Sequence, residues 1–121
     1  MSTVVWFHAV NSQEQLNEVF QFLKNGINQI VMVEADILMG KEVLNSFSWI
    51  WNLILSQDDK PIMSHPPWTQ SNLTFESMVD QIISASEDKN NNLQDLKTLK
   101  FDFKSPIAVE ICLKILQEKA K

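Results

Sequence analysis

Two histidines, His8 and His65, and three carboxylates, Glu34, Asp36 and Asp102, are the side chains of this 121-residue chain best suited to acid–base and cation chemistry. No other histidine occurs, and each of the two follows a short apolar run. Imidazole ionises near neutrality, so such a pair can divide the general-acid and general-base roles. Glu34 and Asp36 stand two residues apart, as do Asp102 and Lys104, and on a β-strand that spacing puts both side chains on one face. Three carboxylates gathered on one face of a low-dielectric site repel each other, and a divalent cation resolves the conflict. All-oxygen ligands favour Mg2+ or Ca2+ over zinc, leaving Lys104 to balance the remaining charge or hold a substrate phosphate.

Those residues need strands to position them, and the hydrophobic pattern supplies candidates. Val4–Phe7 is a β-prone run ending at His8. Leu16, Val19, Phe20 and Leu23 then recur at helical spacing behind a capping box of Ser12 and Gln15, and Asn25-Gly26 stops the helix. Ile30–Leu38 is too continuously apolar for a half-exposed strand and fits one buried on both faces of a parallel sheet. Ile62–His65 reads as a short strand stopped by Pro66-Pro67. Phe75, Met78, Val79, Ile82 and Ile83 mark an amphipathic helix, Leu99–Lys104 alternates with period two, and Ser105-Pro106 opens a last helix carrying Ala108, Ile111, Cys112 and Ile115. In each long strand one side is apolar and the other carries His8, or Glu34 and Asp36, or Lys100, Asp102 and Lys104. The order predicts an α/β fold with a parallel sheet and right-handed crossovers. The segment from Val43 to Leu55 reads as a short helix whose apolar residues cover more than one face.

Composition bounds the function. With 15 acidic against 10 basic residues, net charge −5 and no arginine, the chain lacks the basic stripe and guanidinium groups of a nucleic-acid binder. Only two glycines occur, so neither a Rossmann nor a Walker phosphate loop is present. The longest apolar stretch falls short of the roughly 20 residues that span a bilayer. No signal peptide is visible at the amino terminus, and a single cysteine, Cys112, gives no internal disulfide.

Plainer readings compete for several of these residues. A Glu-x-Asp pair also occurs as exposed polarity or an ion pair, and a strand-end histidine as ordinary surface. Asn72-Leu-Thr74 matches a glycosylation acceptor, but in a chain without visible export it reads better as a helix start. The four tryptophans suit core or contact surface better than ligand stacking.

Trp6-Phe-His8-Ala-Val-Asn11-Ser, Val33-Glu34-Ala-Asp36-Ile, Pro61-Ile-Met-Ser-His65-Pro-Pro, Ser71-Asn-Leu-Thr74 and Leu99-Lys-Phe-Asp102-Phe-Lys104-Ser together resemble the menorin family. The resemblance covers most of residues 4–121. Menorins are similar, more distantly, to glycerophosphodiester phosphodiesterases and venom sphingomyelinase D enzymes, which are (β/α)8 barrels. The resemblance implies His8 and His65 as catalytic, Glu34, Asp36 and Asp102 as Mg2+ or Ca2+ ligands, Lys104 and Asn11 as substrate-binding, and a phosphodiester as substrate.

The expected fold is thus the amino-terminal part of a TIM-type barrel over residues 3–121, with an inserted helical segment at 41–57. A closed barrel takes eight strands and typically about 250 residues, so some three βα units leave it open. Open edges would favour a protein partner. The family also implies an alternative, a non-catalytic extracellular interaction module in neuronal recognition, and the short chain a third, an inactive truncated isoform.

Overall fold

The computed structural model describes residues 3–26, 28–43 and 58–121. Strand β1 (Thr3–Phe7) leads into helix α1 (Gln13–Asn25), then strand β2 (Gln29–Glu42). Strands β3 (Lys60–Met63) and β4 (Gln70–Ser71) precede helix α2 (Phe75–Ser86). Two short 3-10 turns then lead to strand β5 (Leu96–Phe103) and helix α3 (Pro106–Lys119). The short helix expected over Val43 to Leu55 falls, beyond Val43, on residues outside the described ones. Lys41 and Glu42, the first two residues of the expected insertion, complete β2.

Every other strand pairs with β2. β1 lies parallel along Gln29–Val33, β5 parallel along Val31–Ile37, and β4 parallel at Lys41 and Glu42. β3 departs from the expected parallel sheet, because it runs antiparallel, with Ile37 opposite Met63 and Gly40 opposite Lys60. A chain that leaves the end of a strand and turns back along it pairs antiparallel and needs no crossover, whereas a parallel partner does. Carbonyls alternate sides along β2. Those of Glu34 and Asp36 accept from the Val10 and Ser64 amides, and that of Ile37 from Lys104 on the opposite edge. The chain following β1 and that following β3 therefore share one edge of β2, and β5 takes the other.

The apolar parity of β2 is the floor of the core. Val31, Val33, Ala35 and Ile37 are buried beneath Leu16, Val19 and Leu23 of α1, Phe75 and Met78 of α2, and Ala108 and Cys112 of α3. Past Glu34 the alternation lapses: Asp36 and Leu38, on the other parity, are buried as well. At Gly40 any Cβ would collide with the Thr69 carbonyl and the Ile62 side chain, so only glycine lets the chain before β4 approach so closely. The caps follow the sequence. Ser12 Oγ accepts from the Gln15 amide at 3.1 Å and Thr74 Oγ1 from the Ser77 amide at 3.0 Å. Gln15 reaches one residue further back than a simple capping box, its Oε1 accepting from the Asn11 amide at 2.9 Å.

Candidate functional site

The polar parity of the three parallel strands forms the opposite face of the sheet. Register puts Lys100 beside Glu34 and Asp102 beside Asp36. His8 and Lys104 each stand one residue beyond the carboxyl end of a strand, β1 and β5. Ala9 turns the chain there with a φ of 54°, the left-handed region where a side chain is strained. That turn delivers the Val10 amide to the Glu34 carbonyl and brings Asn11 to Asp36.

Two neighbouring clusters result. In the first, His8 Nδ1 lies 3.4 Å from Glu34 Oε1, and Lys100 Nζ lies 3.3 Å from Oε2 of the same carboxylate. The carboxylate can only accept, so Nδ1 donates to it, and among the described residues Nε2 has no hydrogen-bond partner. Trp6 stacks on the His8 ring, with centroids 5.5 Å apart and planes at 20°. In the second, Asn11 Nδ2 donates to Asp36 Oδ2 at 3.0 Å and Asn11 Oδ1 accepts from the Asp36 amide at 2.9 Å. Lys104 Nζ bridges two carboxylates, 2.7 Å from Asp102 Oδ2 and 3.7 Å from Asp36 Oδ1.

These pairings set the ionisation. Glu34 is held below the usual carboxyl range, first by the hydrogen bond from His8 and then by that from Lys100. Asp102 is lowered chiefly by the Lys104 hydrogen bond, and Lys104 is raised in return, first by Asp102. His65 is exposed, and its Nδ1 donates to the Pro66 carbonyl at 2.7 Å, again leaving Nε2 free. Among the described residues it makes no hydrogen bond to the two clusters, and a protonated His65 ring is the last of the influences that lower Asp102. Cys112 lies buried in the core, which pushes its thiol up to about 12 and removes it from the site's chemistry.

Six of the seven residues singled out in the sequence thus lie in the two clusters, with His65 at their margin. Lys100 was legible only as a lysine of the same parity, and its place opposite Glu34 follows from register. Asn11 spends both atoms of its amide on Asp36, and its carbonyl accepts from Ser71 Oγ at 3.0 Å. The carboxylate oxygens of Glu34, Asp36 and Asp102 suit a hard cation in kind. In arrangement they face lysines and Asn11, and among the described residues no group of three or more His, Cys, Asp or Glu side chains is gathered to hold a metal ion.

An open α/β sheet, helices on one face and an ionisable cluster on the other, defines the class of protein. The chain belongs to the menorin family: the family model described as the Menorin N-terminal domain matches residues 1–121. It is similar to human Protein FAM151B, 27% identical over 114 residues, a match covering 94% of this chain and 31% of that protein. The chain therefore spans about a third of the length of this relative. No solved structure matches it. Among the described residues, no helix is long and apolar enough to cross a membrane.

Proposed function

We propose that this domain contributes an acid–base site for phosphodiester chemistry, as the likeness of menorins to the glycerophosphodiester phosphodiesterases and sphingomyelinase D enzymes suggests. The observation that carries the reading is the pair of clusters, His8–Glu34–Lys100 and Asn11–Asp36–Lys104–Asp102, at adjacent register positions on the face that the helices leave uncovered. In this reading one imidazole Nε2 takes the proton of the attacking hydroxyl as the new P–O bond forms. The other imidazole protonates the oxygen that leaves as the old P–O bond breaks. Glu34 fixes the His8 tautomer, and Lys104 attracts the anionic phosphoryl group. To hold Mg2+ or Ca2+, Glu34, Asp36 and Asp102 would have to exchange their lysine and asparagine partners for the ion, which would supply neutralisation of phosphoryl charge. The test is hydrolysis of bis(p-nitrophenyl) phosphate with and without Mg2+ or Ca2+, beside calorimetric titration of either ion. Turnover lowered about 100- to 10,000-fold in His8→Ala supports the reading. No turnover, or cation binding unchanged by Glu34→Ala and Asp36→Ala, rejects it.

A second reading, a contact module without catalysis, is favoured by a different observation. Val4 and Trp6 on β1 and Leu99 on β5 are 59%, 40% and 37% exposed, on strands that pair, among the described residues, with β2 alone. Such edges accept a partner strand. Loss of self- or partner association in Trp6→Ser with retained folding supports this second reading.

A further inference from the structure

On the helical side of the molecule, α1 and α2 line a groove of about 630 Å³ that the first 3-10 turn (Lys89–Asn91) helps to close. Its volume lies within the range of small-ligand sites. Phe20, half-buried against the core, contributes an aromatic surface. Around it stand Gln21 and Lys24 of α1 and Ser84, Asp88 and Asn91. Two of the lining side chains are already engaged: the Gln13 and Gln81 amides exchange reciprocal hydrogen bonds at 2.8 Å, and Asn17 Oδ1 accepts from Gln13 Nε2 at 2.9 Å. The other polar groups of the lining remain spare. Among the described residues the Gln21 amide, the Lys24 ammonium and the Ser84 hydroxyl make no side-chain hydrogen bond or ion pair. Asp88 uses only Oδ1, on the Asn90 amide, and Asn91 only Nδ2, on the Ala85 carbonyl. Lys24 and Asp88 line one groove without forming a salt bridge. Spare donors and acceptors of both kinds, around one aromatic ring and without excess charge, complement a neutral ligand that carries many hydroxyls. An anionic ligand would meet the Asp88 carboxylate with a single cation in support.

We propose that this groove binds a short neutral saccharide, one pyranose ring lying on Phe20 and its hydroxyls shared among Gln21, Lys24, Ser84, Asp88 and Asn91. The test is a heteronuclear NMR titration of the 121-residue chain with maltose, cellobiose and N,N′-diacetylchitobiose, with glycylglycine as a zwitterionic comparison. The expected result is saturable shifts at α1 and the α2–turn backbone for at least one disaccharide. Gln21→Ala and Ser84→Ala, both at exposed helix positions, should each weaken that binding about tenfold, the cost of one neutral hydrogen bond. The proposal is overturned if none of the three disaccharides moves these amides at tens of millimolar, if glycylglycine alone moves them, or if the shifts are indifferent to both substitutions.

Discussion

Asn11 and Asp36 hold each other twice, side chain to carboxylate at 3.0 Å and side chain to backbone amide at 2.9 Å, across 25 positions of sequence. The pair ties the turn after β1 to the middle of β2 at a residue that is only 8% exposed. Asn11→Ala leaves both partners of that clamp unsatisfied and is expected to cost about 2 kcal/mol in urea unfolding. Asn11→Asp, nearly isosteric, should cost more at neutral pH than at pH 3, because it sets a second carboxylate against Asp36. Equal loss at the two pH values would show that charge plays no part there.

Glu34 and Asp102 have carboxyls lowered from their ordinary values of 4.5 and 3.8, by His8 and Lys104 first. A carboxyl lowered in the folded state binds fewer protons than its unfolded counterpart, so the stability it contributes is present above the ordinary value and disappears as pH falls through the folded one. Unfolding midpoints should therefore hold steady near neutrality and decline on acidification below about pH 4.5. Both carboxylates are exposed to solvent screening, so the decline should be shallow. In Lys104→Met the Asp102 carboxyl, followed by carbon NMR, should return upward. An unmoved titration would mean that Lys104 does not govern it.

Ala9 occupies left-handed backbone with a φ of 54°. Glycine takes that conformation without strain but loses more chain entropy, so Ala9→Gly should gain only about 0.5 kcal/mol. Ala9→Val, with a branched Cβ, should lose about 1 kcal/mol or more. Thermal unfolding of the two variants in parallel gives the difference, and a valine variant as stable as the parent would contradict the assigned turn.

Asn92, also left-handed with a φ of 53°, sends its Nδ2 to the Leu23 carbonyl at 3.0 Å and the Gly26 carbonyl at 3.2 Å, closing the end of α1 from a distant loop. Asn92→Gly preserves the backbone and removes those bonds, at an expected cost of about 1 kcal/mol. Asn92→Ala adds the left-handed strain, about 1 kcal/mol more. Hydrogen exchange should quicken in the last turn of α1 in both. Unchanged exchange there would dissociate Asn92 from the helix end.

Much of this arrangement was legible in the chain. The unbroken apolar parity of Val31, Val33, Ala35 and Ile37 announced a strand with a buried side, and Glu34 and Asp36 on the other parity announced its polar face. The helix start read at Asn72-Leu-Thr74 is present, since Thr74 caps α2, and the Asn72 amide donates to the Glu14 carboxylate at 2.9 Å. What was not legible depended on pairing between distant segments. Nothing in Lys60–Met63 itself encodes an antiparallel direction, and a two-residue strand such as Gln70–Ser71 has no period to read. Lys104 was legible as the balance of charge, Lys100 only as a lysine of the same parity and not as the partner of Glu34. Register, including the bulge near Val31 and Met32, decides that Lys100 meets Glu34.

β2 serves as the common partner of all the other strands, and its last long neighbour, β5, begins 54 positions after it ends. During synthesis, therefore, Glu34 and Asp36 leave the ribosome well before Lys100 and Lys104 do. The nascent β2 has only His8 and Asn11 as partners for these carboxylates beside Val31, Val33, Ala35 and Ile37, and its ion pairs with lysine wait until β5 has emerged.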